Sequence, residues 1–378
     1  MRGENIFMRI LMVNTVSTSK NGITNVIFNL IRSIDKNQIT IDLLAIEKPD
    51  QLYINEIEKY GGKVIILHRN IKHIARYVKK LSDVIKIGNY EIVHVHGNSH
   101  TIALDLFAAK IAKCKNRIAH SHSTTCSSIL MHKVLSPFFN FCCTHRLACG
   151  IDAGRWMFGK KNFEVINNGV DTSKYIFDRC NREEIRNLYK LENKVVIGHV
   201  GGFYETKNQS FLIDVLNHMD KEMSCLMLVG DGPLKNKVHN KAVTLGLENN
   251  VIFIGETDYV EKYLSAMDCI VMPSLFEGLP LALIEQQTNG LCCIVSDNIT
   301  EEVNITGNVS FVSLSAPISA WIDKIECTVR KEIVDNSCRQ TKSIMAVKCV
   351  KKKGYDIYEE AKKLKSIYMR LAGRRAEE

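Results

Sequence analysis

The sequence has no apolar run near the roughly 20 residues that a helix needs to cross a bilayer. Its N-terminal stretch, MRGENIFMRILMVNT, lacks the long apolar core and small-residue cleavage site of a signal peptide. Prolines are few, six in 378 residues, and no low-complexity segment occurs, which argues against a disordered chain. These absences predict a folded cytoplasmic protein.

Certain short motifs are absent as well. The 13 cysteines form no Cys-x-x-Cys, which argues against a zinc ribbon, and their odd number and irregular spacing predict free, reduced thiols. No Gly-x-Gly-x-x-Gly and no Gly-x-x-x-x-Gly-Lys-Ser/Thr occurs, which argues against a dinucleotide dehydrogenase and a P-loop enzyme. No Asp-x-Asp occurs, so a sugar-nucleotide site built on a divalent metal loses support, and we predict no metal and no cofactor.

Basic residues outnumber acidic ones, 50 to 41, which gives a formal net charge of +9. This balance favours anionic partners such as phosphates, acidic lipids or nucleic acid. No nucleic-acid-binding signature accompanies the charge, so we expect no nucleic-acid partner.

The pattern along the chain is one of short apolar segments alternating with amphipathic ones. RILMVNT and EIVHVHG belong to a first series of strands and helices, and a second series begins at KVVIGHVGG. Such alternation is typical of parallel sheets in an α/β fold. A chain of this length exceeds one ordinary core, so we predict two doubly wound domains that meet near Asn168. A ligand is expected at the carboxyl ends of the strands, in the cleft between the domains.

The segment SLFEGLPLALIE places two carboxylates in an apolar setting. Pro280 is suited to the first turn of a helix, which puts Glu277 in the preceding loop and Glu285 one to two turns into the helix. Gly278 allows a ligand to approach the backbone, and the N–H groups at the helix start favour an anion. Phosphate donors between two hydroxyl-binding carboxylates fit a sugar nucleotide. The alternative is a helix cap and a salt bridge.

A second segment, VGGFYETKNQSFLIDVL, has a glycine-rich turn after a strand and Lys207 just before a helix. A cation beside such a turn can neutralise a diphosphate leaving group. The alternative is a lysine whose ammonium group is simply solvated.

In this order, these segments resemble the retaining glycosyltransferases of family 4, which have the GT-B fold. The subgroup most resembled builds bacterial exopolysaccharide and capsule. MRILMVNTVSTSKNGITNVIFNL is similar to the family's opening strand and glycine loop, and MPSLFEGLPLALIEQQTNG contains its Glu-x7-Glu signature. The resemblance covers nearly the whole chain. It implies two Rossmann-like domains that face each other across a cleft.

The resemblance also implies the extent and the task of each domain. Residues 1–168 would form an acceptor-binding domain, completed by a C-terminal helix at 355–372 that crosses back to it. Residues 169–354 would form the domain that binds the sugar nucleotide.

Site residues follow from the resemblance position by position. Glu277 would contact the donor sugar and Glu285 the ribose. Lys207 would hold the diphosphate, and the N–H groups near Gly278 and Leu279 would stabilise the departing β-phosphate without a metal.

Two further positions would come from the first domain. Gly22 would let the first loop approach the phosphates, and His122 matches the histidine that faces the donor sugar and the acceptor. His120 competes for that role, because strand alternation puts both histidines on one face and Ala119 on the other. The alternative for His94, His96, His120 and His122 is that they are satisfied polar residues of the strands.

One position departs from the family pattern. The family has an arginine, which partners the diphosphate, where this chain has Gly202. The loss of one charge-assisted contact to a phosphate costs on the order of a few kcal/mol unless another group replaces it.

The function that these observations imply is a metal-independent hexosyltransferase. It would move a hexose or N-acetylhexosamine from a nucleoside diphosphate sugar, expected to be a UDP-sugar, to a polyprenyl-linked or oligosaccharide acceptor in cell-surface polysaccharide synthesis. The alternatives are a weakly active sugar-nucleotide-binding partner subunit and a sugar-nucleotide epimerase.

A location at the inner face of the plasma membrane is a further expectation. HRNIKHIARYVKKLSDVIK predicts a helix with one apolar face and with basic residues elsewhere, among them Arg69. We interpret the apolar face as one that covers the sheet, while the basic residues could contact anionic lipid near a lipid-linked acceptor.

Overall fold

The structure is a computed structural model that describes residues 7–19, 21–277, 279–333 and 338–374. Gly278, predicted above to bind the donor, lies outside these residues. The chain divides into two units. The first unit contains the chain up to Gly169 and again from Ile357 onward, and the second is Val170–Asp356.

The first unit contains a seven-stranded parallel sheet in the order β3-β2-β1-β4-β5-β6-β7. The order reverses between β1 and β4, as in doubly wound folds. The strands are β1 Met8–Asn14, β2 Ile39–Ala45, β3 Val64–Ile66, β4 Ile92–His96, β5 Asn116–Ser121, β6 His145–Ala148 and β7 Glu164–Val165.

Helices connect these strands and cover both faces of the sheet. The first helix begins after Asn21, whose side chain accepts a hydrogen bond of 3.0 Å from the Thr24 N–H and so satisfies one of the unpaired amides of the first turn. The helices are α1 Gly22–Ser33, α2 Gln51–Lys59, α3 Ile74–Gly88, α4 Ala103–Ile111, α5 Ile129–Val134, α6 Ser136–Cys142 and α7 Ile151–Phe158.

The second unit repeats this architecture with a six-stranded parallel sheet in the order β10-β9-β8-β11-β12-β13. Its order reverses between β8 and β11. The strands are β8 Val195–Val200, β9 Ser224–Val229, β10 Val251–Gly255, β11 Cys269–Met272, β12 Cys293–Ser296 and β13 Val309–Val312. The helices are α8 Arg179–Leu188, α9 Gln209–Asn217, α10 Lys235–Thr244, α11 Val260–Ala266, α12 Leu281–Thr288, α13 Ile318–Ile333 and α14 Cys338–Lys352.

The last helix, α15 Ile357–Leu371, belongs to the first unit. Ala361, Leu364 and Tyr368 are fully buried in the core that also holds β1 and α1. The predicted return of the C-terminal helix to the first unit is therefore observed.

The central strands of both sheets, among them β4, β9, β11 and β12, are buried on both faces, which explains their continuous apolar runs. Separate apolar clusters lie on the two sides of each sheet. Two doubly wound α/β units with parallel sheets confirm the predicted fold class. Nowhere along the described residues does a helix combine the length and the apolar character needed to cross a membrane.

Helix α3 buries the apolar face that the sequence predicts. Val78, Leu81 and Ile85 pack against the sheet, which confirms the sheet-covering interpretation. Arg69 differs from the expectation of a solvated cation, because its guanidinium lies 3.6 Å from the buried Asp105 carboxylate. It compensates a buried charge instead.

Candidate functional site

The strand-order reversal in the second unit positions the candidate site. The loop after β8 carries Gly202 and Lys207, and the loop after β11 carries Glu277. Because β8 and β11 are adjacent and parallel, both loops leave the same edge of the sheet. The two segments that the sequence singles out therefore meet at the position where such folds bind ligands.

Lys207 and Glu277 form an ion pair at this edge. The Lys207 Nζ lies 2.5 Å from the Glu277 Oε1, and the hydroxyl of buried Ser274 donates to the same oxygen at 3.1 Å. The two side chains are 20% and 14% exposed, so they are held partly out of water. The pair brings a phosphate-binding cation and a hydroxyl-binding carboxylate to one point. It also agrees with the salt-bridge alternative for Glu277.

Backbone contacts fix the two loops to each other. The Leu275 N–H donates to the Thr206 carbonyl at 2.8 Å, and the Asn208 side chain donates to the Pro273 carbonyl at 3.2 Å. Behind them, Gly230 has a φ of +135°, and a Cβ there would lie 2.2 Å from the Gly201 carbonyl oxygen. Only glycine fits this contact, so the backbone behind the Lys207–Glu277 pair is tightly packed.

Glu285 lies on α12, as predicted, but its surroundings differ from those of Glu277. Its half-buried carboxyl accepts a hydrogen bond from the Tyr175 hydroxyl. Burial raises the pKa of Glu285 to about 7, although the Tyr175 hydrogen bond and the nearby Lys174 act in the opposite direction. At neutral pH the carboxyl can therefore both accept and donate a hydrogen bond.

Pro280 departs slightly from its predicted position. Its backbone is extended, with a ψ of 112°, and α12 begins one residue later at Leu281. The Pro280 carbonyl accepts a 3.0 Å bond from the Leu283 N–H, so Pro280 precedes the first turn. The Leu279 side chain packs partly buried beside the core of the unit.

The space at Gly202 is filled by a neighbouring ring. A Cβ on Gly202 would lie 2.7 Å from the Tyr204 Cε2 and 3.4 Å from the Asp231 carbonyl oxygen. Tyr204 itself is 55% exposed. An arginine at position 202 would require Tyr204 to move.

His199, on β8, is a polar residue at this site that the sequence patterns do not identify. Its Nδ1 lies 2.9 Å from the Val271 carbonyl, so Nδ1 carries the proton and Nε2 is left as an acceptor. That Nε2 is buried without a hydrogen-bond partner among the described residues and lies 3.5 Å from the place of a Cβ on Gly201. Burial lowers the pKa of His199 to about 4. Its position just before the glycine turn is the signal that could have identified it.

In the first unit, Gly22 opens α1. Apart from its chain neighbours and the backbone of its own helix, no atom of the described residues lies within 4 Å of the place of a Cβ there. His122 follows β5 by one residue and is half-buried, whereas His120 is fully buried. Their ring centroids are 4.3 Å apart, which confirms that they share one face of the sheet. The His122 Nε2 lies 2.9 Å from the His96 Nδ1, and burial lowers the pKa of His122 to about 3.

The structure thus joins Lys207 directly to Glu277, with Gly202 on the same loop as Lys207. Glu285, on α12, is hydrogen-bonded to Tyr175 instead. Gly22 and His122 belong to the other unit.

Two family models match most of the chain. That of glycosyltransferase family 4 matches residues 20–174, and that of the glycosyl transferases group 1 matches residues 194–330. EpsF of Bacillus subtilis (strain 168) is named as a glycosyltransferase. It is 33% identical to this chain over 325 residues, which are 81% of this chain and 84% of EpsF. The chain is a family 4 glycosyltransferase.

Two other proteins resemble this glycosyltransferase over nearly its full length. The UDP-Gal:alpha-D-GlcNAc-diphosphoundecaprenol alpha-1,3-galactosyltransferase of Escherichia coli is 28% identical over 374 residues, 92% of this chain and 94% of that protein. The crystal structure of Anabaena Alr3699/HepE in complex with UDP superposes with a TM-score of 0.75 at 17% identity, over 95% of this chain and 99% of that one. The structural likeness confirms the predicted GT-B fold class.

Proposed function

We propose that this glycosyltransferase transfers a hexose or N-acetylhexosamine from a UDP-sugar to a lipid-linked saccharide, with retention of the anomeric configuration. The observation that carries the proposal is the Lys207–Glu277 pair at the strand-order reversal of the second unit. A cation and a carboxylate held side by side are the groups that a diphosphate and a sugar hydroxyl require.

UDP is favoured as the nucleotide by two relatives. HepE was crystallised with UDP, and the E. coli relative is named for UDP-Gal. Glu285 would bind the ribose. Its carboxyl, with a pKa of about 7, can accept from one ribose hydroxyl and donate to the other.

In the proposed reaction, the bond between the anomeric carbon and the β-phosphate oxygen breaks, and negative charge grows on the departing UDP. Lys207 and the N–H groups of Gly278 and Leu279 would stabilise that charge, so no metal is required at the diphosphate. The acceptor oxygen bonds to the same face of the sugar, and its proton passes to the departing phosphate. Gly22 would lie at the phosphates and His122 at the donor sugar, as the family resemblance implies.

The acceptor would be a saccharide on a polyprenyl diphosphate, the kind of acceptor for which the E. coli relative is named. Synthesis of cell-surface polysaccharide would then take place at the inner face of the plasma membrane. Two surfaces of the first unit support contact with an anionic bilayer. The exposed basic residues around α3 are Lys72, Arg76, Lys79, Lys80 and Lys86, and the exposed apolar residues of α5 and α6 are Ile129, Leu130, Met131, Val134 and Phe141.

An apolar groove of about 730 Å³ is lined by residues of α3, α4 and α6 that include Val78, Phe107 and Phe138. Lys79 and Lys86, two of the exposed basic residues of α3, also line this groove. Such a combination of apolar residues and lysines is typical of proteins that lie on anionic membranes.

Gly202 supports a second candidate, a subunit that binds a sugar nucleotide and assists an active partner. With Tyr204 over position 202, the phosphate side of the site has one cation fewer than the family pattern.

Ligand binding and transfer separate the two candidates. In a thermal-unfolding series with UDP, GDP, UDP-glucose, UDP-galactose and UDP-N-acetylglucosamine, we expect UDP and one UDP-sugar to raise the unfolding temperature by mass action. Release of UDP from that sugar, measured with and without a lipid-linked saccharide, then distinguishes a transferase from a binding subunit. A new sugar nucleotide formed without an acceptor would identify an epimerase.

Substitution of the ion pair tests the chemistry. We expect Lys207→Ala to lower kcat/KM for transfer by about 100- to 1,000-fold, the usual cost of removing one group that stabilises a developing charge. We expect a loss of similar size for Glu277→Ala, which removes the contact to the donor sugar. The matched control is Lys262→Ala, which removes one partner of the exposed Lys262–Glu184 pair. Transfer at the wild-type rate by both site variants would contradict the proposal. Unchanged transfer in EDTA is expected if no metal acts at the diphosphate.

A further inference from the structure

Four histidines lie side by side on one face of the sheet of the first unit. His94 and His96 are on β4, His120 is on β5, and His122 follows β5. The ring centroids are 4.1 Å apart for His94 and His96 and 5.3 Å apart for His94 and His120. His94, His96 and His120 are fully buried. The proposed transfer reaction uses His122 alone, so the other three require a separate explanation.

Hydrogen bonding within the protein does not account for this cluster. His94 is satisfied, because its Nδ1 lies 2.6 Å from the Tyr368 hydroxyl and its Nε2 lies 3.2 Å from the His120 Nδ1. The His120 ring is also hydrogen-bonded to the Ile166 backbone. The Nε2 of His96 is fully buried and has no hydrogen-bond partner among the described residues. Buried polar atoms are normally paired, so this unpaired ring nitrogen beside two other histidines indicates a missing ligand.

The packing of the rings limits what that ligand can be. His94, His96 and His120 are fully buried, the His94 and His96 rings are stacked, and the His94 and His120 rings are hydrogen-bonded to each other. A neutral imidazole offers a lone pair, which is the form that ligates a metal ion.

We propose that His94, His96 and His120 bind a transition-metal ion of the zinc class. One ring nitrogen from each of the three residues lies within 4.8 Å of the others. Four-coordinate zinc, with Zn–N bonds of about 2.0–2.1 Å, needs its ligand nitrogens roughly 3.4 Å apart. The His94 Nε2 and the His120 Nδ1 lie 3.2 Å apart, close to that spacing, and metal binding would replace the hydrogen bond between them. The rings would have to rotate so that their lone pairs converge on the ion.

The ligand type selects the metal. Imidazole nitrogens favour Zn²⁺, Co²⁺, Ni²⁺ and Cu²⁺, whereas Mg²⁺ and Ca²⁺ favour the oxygen ligands that this cluster lacks among its three members. The fourth position would be filled by water.

Tyr368 gives this metal site an outer contact. When His94 ligates through Nε2, its Nδ1–H donates to the Tyr368 oxygen, which fixes the tautomer and the orientation of the ring. Tyr368 belongs to α15, so the metal would connect β4, β5 and the last helix. This inference does not depend on the proposed transfer reaction.

Cobalt absorption provides the direct test. Untagged protein is treated with EDTA, desalted and titrated with Co²⁺. We expect one equivalent to produce the intense visible bands of tetrahedral Co²⁺, without the near-ultraviolet band of thiolate ligation, and one equivalent of Zn²⁺ to abolish them. We expect His96→Gln and His120→Gln to weaken Co²⁺ binding by at least about 100-fold, and Tyr368→Phe by about 10- to 100-fold. The exposed His218 supplies the control His218→Gln, which should bind Co²⁺ like the wild type.

A thermal measurement guards against variants that fail to fold. One equivalent of Zn²⁺ should raise the unfolding temperature of the wild type and of Lys207→Ala, but not that of His96→Gln, even if the apo variant is less stable. Retention of the metal-induced shift in Lys207→Ala separates this site from the donor site. Absence of tetrahedral bands in the wild type, or equal Co²⁺ affinity in the wild type and both histidine variants, would overturn the proposal.

Discussion

At the scale of a single residue, Gly202 limits the phosphate side of this glycosyltransferase. The ring of Tyr204 lies over the position that a side chain at 202 would enter. Restoring the family's arginine is therefore not a one-residue change, because the Cβ of the new residue meets the ring before the guanidinium can reach a phosphate.

We predict that Gly202→Arg alone does not tighten UDP binding, whereas Gly202→Arg combined with Tyr204→Ala tightens it about tenfold. Tenfold corresponds to about 1.4 kcal/mol, near the lower end for a hydrogen bond to a charged group. Titration calorimetry with UDP measures the effect. Gly202→Gln with Tyr204→Ala is the uncharged control, and equal affinity in the two double variants would count against a missing phosphate contact.

Glu285 makes the stability of the second unit depend on pH. Its pKa of about 7 lies above the ordinary glutamate value, so the folded state holds a proton that the unfolded state has lost. The sign follows from linkage: between about pH 4.5 and 7 the free energy of unfolding falls as pH rises.

We predict that Glu285→Gln removes this fall. The stability of Glu285→Gln relative to the wild type should therefore be greater at pH 8 than at pH 5. The difference is at most about 3 kcal/mol, at about 1.4 kcal/mol per pKa unit. Urea unfolding at both pH values, followed by the fluorescence of buried Trp321 in a Trp156→Phe background, reports on the second unit. If the free energy of unfolding changed by the same amount between the two pH values in Glu285→Gln and in its parent, the raised pKa would be contradicted.

Sequence reasoning at this scale singled out Lys207 beside a glycine turn and Glu277 before a helix start, with roles that the family resemblance implies. The structure pairs the two side chains. It did not identify His199, Ser274 or Tyr175. Each is one polar residue in an ordinary setting, and its role depends on which distant residue the fold brings to it. The histidine cluster shows the same limit, since alternation predicts a shared face within β5 but not the pairing with β4.

At the scale of an element, α15 contributes to the core of the first unit although it follows the second unit in the chain. We predict that Leu364→Ala destabilises the first unit by about 2–5 kcal/mol, the usual range for a buried leucine. Hydrogen exchange should then accelerate in β1, β2 and β4 and stay unchanged in β8, β9 and β11. Ser366→Ala, at an exposed position of the same helix, is the control. Faster exchange in both units alike would argue against this local role.

The long apolar strands and amphipathic helices could be predicted because their periodicity is set by burial. The sequence analysis did not predict β6, β7, α5 or α6, and it also left the longer helices α13 and α14 unassigned. The first four have two to seven residues, too few for a period to be visible, and β6 begins with His145 and Arg146. Tertiary contacts rather than local pattern determine them.

At the scale of the whole molecule, the formal net charge is +9, and the exposed lysines of α3 contribute to it. We predict binding to vesicles that contain anionic lipid, weakening as salt rises, because exposed charges are screened beyond about 10 Å at 0.1 M ionic strength. Lys79→Glu with Lys80→Glu should abolish co-sedimentation. The control is Lys221→Glu with Lys237→Glu, because both lysines are exposed in the second unit and the change in net charge is the same. This control should still bind the vesicles. If both double variants bind alike, the α3 surface is not the contact.

The two-domain organisation was predictable at this scale, because each series of strands and helices is a complete doubly wound pattern. The placement of α15 required the family resemblance, since nothing in an amphipathic helix says which sheet it covers.

The return of α15 to the first unit has a consequence for biosynthesis. The second unit is an insertion, and all of its residues leave the ribosome before the first unit receives its last helix. The second unit can therefore acquire its native sheet while the first still exposes the apolar surface of β1 and α1 that α15 later covers. Chaperones that recognise exposed apolar segments would act on the N-terminal half of this protein until α15 has been synthesised.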